Sequence, residues 1–265
     1  MTQTERRIFL IKALLAENAE YSDMEIPAGE GEQRIMLRSL MNVRPPKPVP
    51  EEFLKIQDEY LRDRIKQNGI TDCSMFAPVG TDSVNSRIFL WKGDITALKC
   101  DAIVNACNSK MLGCFAPMHL CIDNAIHTFA GVQLRIEMNR IMQAQGHDEP
   151  AGQAKITPGY NLPAKHVLHT VGPIISGGRP SAEDHEMLRS CYASCLRLAA
   201  EHGIKSVAFC CISTGVFAFP KQEAAKTAIK AVKDFLSEDG SIKQAIFNVY
   251  SEEDYAIYRR ELNML

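Results

Sequence analysis

A chain of 265 residues suits one large domain, or one domain with an appendage, at the usual ~150 residues per domain. With 46% apolar and 23% charged residues, its composition is that of an ordinary globular protein, not of a disordered or fibrous one. The 30 Lys/Arg and 32 Asp/Glu leave a formal charge of −2, which argues against a broad electrostatic grip on nucleic acid or an anionic membrane. An anionic ligand is therefore expected to be held locally, by backbone N–H groups or a metal.

No run approaches the ~20 apolar residues of a membrane span. Arg6 and Arg7 precede the apolar Ile8-Phe9-Leu10-Ile11, but Lys12 interrupts the run and Glu17 and Glu20 follow, which is wrong for a secretory signal. Nine cysteines, an odd number with no such signal, read as reduced thiols of a cytoplasmic protein, with some available as metal ligands.

Residues 1–72 hold 11 Lys/Arg and 13 Asp/Glu, whereas the remaining 193 hold only 19 of each. Helical spacing of Ile8, Ile11, Leu14 and Leu15, and again of Phe53, Ile56, Tyr60, Leu61 and Ile65, predicts two helices in this charged part. The stiff link Arg44-Pro45-Pro46-Lys47-Pro48-Val49-Pro50 lies between them. The expected division is a helical N-terminal extension over 1–72 and a main body over 73–265. In the main body, short apolar runs predict strands over 87–91, 102–106, 154–157, 166–170, 206–212 and 244–250. Amphipathic stretches predict helices over 121–130, 132–145, 182–202, 221–236 and 252–262. Several strands are near-continuously apolar, as in a sheet covered on both faces. The alternation predicts a three-layer α/β fold with a mixed sheet.

In such folds ligands sit where loops leave the carboxyl ends of strands. Asp94, in Trp91-Lys92-Gly93-Asp94-Ile95-Thr96, can accept hydrogen bonds from an exocyclic amine or serve as a plain N-cap. Ile212-Ser213-Thr214-Gly215-Val216-Phe217 follows an apolar run and precedes Pro220. Its consecutive N–H groups suit a phosphate or pyrophosphate, although it is neither a Walker loop nor a G-x-G-x-x-G fingerprint. Asn105 and Asn108 flank the end of a strand, where their amides can meet sugar hydroxyls.

The most informative stretch is Gly113-Cys114-Phe115-Ala116-Pro117-Met118-His119-Leu120-Cys121-Ile122-Asp123, with its Cys-x4-His-x-Cys spacing. His119 and Cys121 diverge on a helix but share a face in an extended segment, which Pro117 favours. Two thiolates and an imidazole suit Zn²⁺, and three ligands without a fourth leave the open position of a catalytic site. The alternative is a chance grouping of buried thiols. Cys73, Cys100, Cys107, Cys191, Cys195, Cys210 and Cys211 lack such company, and His166 and His169 are given no role.

Taken in order, five segments resemble the macrodomain, the ADP-ribose-binding three-layer α/β/α module. They are Gly93-Asp94-Ile95-Thr96, Asp101-Ala102-Ile103-Val104-Asn105-Ala106-Cys107-Asn108, Cys121-Ile122-Asp123-Asn124-Ala125-Ile126-His127, His169-Thr170-Val171-Gly172-Pro173 and Ile212-Ser213-Thr214-Gly215-Val216-Phe217-Ala218-Phe219-Pro220. The resemblance implies that Asp94 and Ile95 bind adenine and that Ser213, Thr214, Gly215, Val216 and Phe217 bind the pyrophosphate and its neighbouring ribose. Asn108 and Asp123 match positions that face the distal ribose in hydrolytic members.

Those members usually carry a glycine-rich stretch between the two positions. Here a longer insertion with Cys114, His119 and Cys121 replaces it, as in the zinc-containing microbial macrodomains often found with a sirtuin-type ADP-ribosyltransferase, whose N-terminal extension is also similar. That subgroup implies one Zn²⁺ per chain and removal of mono-ADP-ribose from protein, with a lipoyl-carrier protein of the glycine-cleavage H type as a client. The expectation is a cytoplasmic hydrolase acting on a carboxylate-ester linkage. Asp123 serves as its general base or as a second hydrogen-bonding anchor, or is an N-cap, and Asn105 and Asn108 lie at the ribose. Its rivals are a non-catalytic ADP-ribose reader and an O-acetyl-ADP-ribose deacetylase.

Overall fold

The computed structural model describes residues 1–21 and 23–264, so Leu265, the last residue of the expected main body, lies outside the described residues. Three helices, one more than the sequence pattern predicts, fill the extension: α1 (Gln3–Ala16), α2 (Glu30–Val43) and α3 (Glu51–Asn68). Helix α1 starts on a capping box, with Thr2 Oγ1 accepting from the Glu5 N–H and the Glu5 carboxylate accepting from the Thr2 N–H. Helix α2 went unpredicted because its buried face runs Gln33, Leu37, Leu40, Met41, Asn42, with polar residues at both ends of the apolar spacing. Gln33 is buried because it accepts from Arg7 Nε at 2.9 Å and donates to the Pro27 carbonyl at 2.7 Å. The proline-rich link joins α2 to α3.

The chain continues through β1 (Thr71–Asp72), β2 (Ile88–Lys92), β3 (Leu98–Lys99), β4 (Ala102–Cys107), α4 (Ile122–Ala130) and α5 (Val132–Gln145). It then forms β5 (Ala154–Pro158), β6 (His166–Val171), α6 (Ala182–Glu201), β7 (Ser206–Phe209), α7 (Lys221–Glu238), β8 (Gln244–Val249) and α8 (Glu252–Glu261). Strands β1 and β3 form a small parallel pair. The main sheet has the order β2-β8-β7-β4-β6-β5 and is parallel except for the antiparallel edge strand β5. Ala102 through Asn105 of β4 and all of β7 are buried, as strands covered on both faces must be. With helices on both sides, the body is the mixed three-layer α/β/α fold that the alternation predicts. Leu10, Ile11, Leu14, Leu37, Leu40 and Phe53 belong to a second apolar core in the extension, which Val132 of α5 joins.

The predicted strand over 206–212 stops at Phe209. Beyond it Ser213 (φ +64°) and Ala218 (φ +56°) adopt left-handed backbone, which turns the chain out of the sheet. Strand β4 lies where the topology reverses: the chain next builds β5 and β6 on one side of it, then β7 and β8 on the other. Loops leaving β4 and β7 therefore part company and open a crevice at the carboxyl edge of the sheet.

Candidate functional site

Asp94 leaves β2 as the cap of a short turn, its Oδ1 accepting from the Thr96 N–H at 2.9 Å and from Thr96 Oγ1 at 2.7 Å. The residue is exposed and Oδ2 takes part in no hydrogen bond among the described residues, so capping leaves half of the carboxylate for a ligand. Ile95 beside it is buried. From the neighbouring strand, Asn248 Nδ2 donates to the Gly93 carbonyl at 2.9 Å and fixes where this loop departs.

The segment after β7 folds back through Phe219 N–H to Ser213 O at 2.9 Å and Ala218 N–H to Gly215 O at 3.0 Å. Among the described residues the N–H groups of Gly215, Val216 and Phe217 donate to no protein acceptor. Such a run of unpaired donors on an exposed tip is suited to an anion. The loop after β6 braces it, with Ile175 N–H donating to Phe217 O at 2.9 Å. Gly172 permits this approach, since a Cβ there would stand 2.1 Å from Ser213 Oγ.

Asn108, one residue past β4, uses Oδ1 to accept from the Lys110 N–H at 3.0 Å, and its amide donors bond to nothing among the described residues. Asn105 lies beneath the crevice, fully buried. Its Nδ2 donates to Asp123 Oδ1 at 2.8 Å and stands 3.2 Å from His169 Nδ1. Its Oδ1 is buried without a hydrogen-bond partner among the described residues.

Asp123 sits in the first turn of α4, but the cap of that helix is Cys121, whose sulfur accepts from the Asn124 N–H at 3.4 Å. The N-cap account of Asp123 is thereby replaced. Burial pushes its carboxyl up to about 6, against the pull of the Asn105 amide and the Arg135 charge. Oδ2 bonds to nothing among the described residues. One turn on, His127 Nε2 lies 3.6 Å from Asp123 Oδ1, and both ring nitrogens are buried without a hydrogen-bond partner.

His169, which sequence reasoning left without a role, completes the group. Burial drives its pKa down to about 3, so the ring is neutral. With Nδ1 accepting from Asn105, Nε2–H donates to Thr157 Oγ1 at 2.9 Å. The signal was present: Asn105 and His169 are polar interruptions of apolar strands, and the β4–β6 register sets them side by side.

Cys114, His119 and Cys121 converge as their spacing suggests, all three ligand atoms lying within 4.8 Å of one another. Cys114 Sγ stands 3.6 Å from His119 Nδ1. Leu120 is 92% exposed, so His119 and Cys121 turn inward on one side of it. Turns at Gly113 (φ +82°) and Met118 (φ +58°) close the loop. Burial, with the neighbouring Cys114 sulfur, pushes the Cys121 thiol up to about 11, and a divalent cation between the sulfurs would reverse this. Two sulfurs and an imidazole in half-buried positions fit zinc.

Gly113 tests this seat. A Cβ there would lie 2.8 Å from the buried His127 ring and on left-handed backbone. Gly113→Ala is expected to cost roughly 1–3 kcal/mol of stability and to weaken zinc retention. Denaturant titration and metal analysis check this, and unchanged values would remove Gly113 from the loop's support.

Fold and loops together define an α/β/α module with free loop N–H donors and a Cys/His/Cys cluster beyond strands at its topological switch point. Residues 104–228 match the family described as Macro domain. Over 260 residues the chain is 58% identical to a Treponema medium protein named Protein-ADP-ribose hydrolase, covering 98% of this chain and 99% of that one. A Staphylococcus aureus protein of the same name is 46% identical over 255 residues, covering 96% and 94%. Among solved structures, the Trypanosoma brucei macrodomain in complex with ADP-ribose matches with a TM-score of 0.65 at 32% identity, covering 84% of this chain and 94% of that one. The chain belongs to the Macro domain family.

Proposed function

We propose that this protein is a zinc-dependent hydrolase that removes mono-ADP-ribose from modified protein side chains, joined as a carboxylate ester, and releases ADP-ribose. The observation that carries the reading is that two chemically equipped segments follow the neighbouring strands β7 and β4: the unpaired N–H donors of Gly215, Val216 and Phe217 after β7, and Cys114, His119, Cys121 and a buried Asp123 after β4. The hydrolase names of the Treponema and Staphylococcus relatives support it.

In this reading Asp94 and Ile95 hold adenine, and the Ser213–Phe217 segment, through the free N–H groups of Gly215, Val216 and Phe217, meets the pyrophosphate charge, which the near-neutral body does not. The free amide of Asn108 orients the distal ribose. Asp123, its Oδ1 held by Asn105, accepts through Oδ2 the proton of the attacking water. Thr157, His169 and Asn105 keep that carboxylate in register. Cys114, His119 and Cys121 would hold a zinc ion, which would supply Lewis-acid stabilisation of negative charge at the ribose end.

The setting we propose is cytoplasmic, consistent with nine free cysteines. Among the described residues no helix is long and apolar enough to cross a membrane. The extension over 1–72 and the macrodomain over 73–265 remain our division, and the client suggested by the subgroup resemblance is an H-type lipoyl carrier.

The test compares turnover of an ester-linked mono-ADP-ribosylated protein with turnover of O-acetyl-ADP-ribose. The modified protein is expected to give the larger kcat/KM. The reverse order would favour the small-molecule deacetylase, and binding without release would favour a reader.

A further inference from the structure

The loop carrying the three ligands belongs to neither a helix nor a strand. Its buried backbone groups must therefore find partners elsewhere. Two of those partners come from the N-terminal extension. Asn42, near the end of α2 and 1% exposed, accepts from the Met118 N–H at 3.0 Å through Oδ1 and donates to Thr128 Oγ1 at 3.0 Å through Nδ2. Met118 is the left-handed residue next to His119.

One turn earlier on α2, Arg38 Nη2 donates to the His119 carbonyl at 3.3 Å and to Asn124 Oδ1 at 2.8 Å. Asn124 is itself tied to the loop, donating from Nδ2 to the Ala116 carbonyl at 3.0 Å and from its N–H to Cys121 Sγ at 3.4 Å. A single guanidinium thus links two of the three ligand residues.

Arg135 of α5 closes the joint from the other side. Its Nε donates to Leu112 O at 2.7 Å, and its Nη2 lies 3.5 Å from Cys114 O. Nη1 donates to Met41, Asn42 and Arg44 carbonyls at 3.1, 2.8 and 2.6 Å, satisfying the open C-terminal end of α2. Phe115 lies over the guanidinium, 4.1 Å from Cζ.

We propose that Arg38 and Asn42 of the extension, with Arg135, are positioning residues of the metal centre: they hold the 114–121 loop in its ligand-converging shape before metal arrives. The inference rests on the zinc reading above and assigns the extension a part in the site. The physical ground is preorganisation. A turn-rich loop fixed at the His119 carbonyl, the Met118 N–H and the Cys114 carbonyl loses little further freedom on binding metal, whereas a loosened one must be ordered by it. Changes to groups that orient metal ligands typically cost 10–100-fold in metal affinity.

The experiment titrates the full chain, stripped of metal, with Co²⁺ and with Zn²⁺ against a chromophoric chelator, comparing wild type with Arg38→Ala, Asn42→Ala, Asn42→Asp and Arg6→Ala. Arg6 pairs with Glu59 and Asp63 inside the extension and reports loss of stability alone. Arg38→Ala and Asn42→Ala are expected to weaken metal binding about 10–100-fold. Both should also alter the cobalt absorption bands while leaving ADP-ribose affinity within about twofold. Asn42→Asp keeps the acceptor for Met118 but loses the donor to Thr128, so it should recover only part of the affinity lost in Asn42→Ala. Equal metal affinity in wild type and Arg38→Ala, or a loss in Arg6→Ala as large as in Arg38→Ala, would overturn the proposal. Wild-type protein that takes up neither metal would overturn the zinc reading itself, and this inference with it.

Discussion

Asp123→Ala should lower ADP-ribose release by about 10²–10⁴-fold, the usual worth of a general base, while ADP-ribose binding stays measurable. The binding loops after β2 and β7 lie on other strands and do not hydrogen-bond to Asp123. Alanine also leaves Asn105 Nδ2 with His169 Nδ1 as its one partner, and an unsatisfied buried group costs about 1–3 kcal/mol. Asp123→Asn separates the two effects, because an amide oxygen can still accept from Asn105 but is no base. The asparagine variant is expected to be nearly as stable as wild type and as inactive as the alanine variant. Near-normal turnover in either would remove Asp123 from the mechanism.

The second large effect concerns the metal ligands. A Cys114→Ala/Cys121→Ala chain retains one ligand of three, so zinc should be lost and ADP-ribose release with it. Cys121 also caps α4, so alanine there disturbs a helix start as well. Cys121→Ser isolates the metal, since serine is a better cap than cysteine but a poor zinc ligand. With Cys114→Ala, it should leave unfolding near wild type and still abolish zinc binding. If zinc disappears from this variant and release persists, the metal is scaffolding.

Much of this site is legible in the sequence because its signals are local. Cys114, His119 and Cys121 lie within eight residues of one another, and their spacing suggests a shared metal site, with a chance grouping of thiols as the alternative. The strands announce themselves as apolar runs, and Val132–Gln145 begins and ends where its periodicity does. What the sequence hides is fixed by partners distant along the chain. Helix α2 escapes because Gln33 and Asn42 are buried polar residues, held by Arg7 in one case and by Met118 and Thr128 in the other. Arg38 and Arg135 look like ordinary charged helix positions until α2 is laid against the 114–121 loop. His169 gains meaning only from the register that sets it beside Asn105. Asn105 sits beneath the ligand crevice because a strand covered on both faces carries its side chains inward.

The most direct measurement is ADP-ribose released from an ester-linked mono-ADP-ribosylated protein by the full chain as purified, after zinc is stripped, and after zinc is restored. The account predicts release that stops on stripping and returns with zinc. Release that continues unchanged without zinc would contradict it.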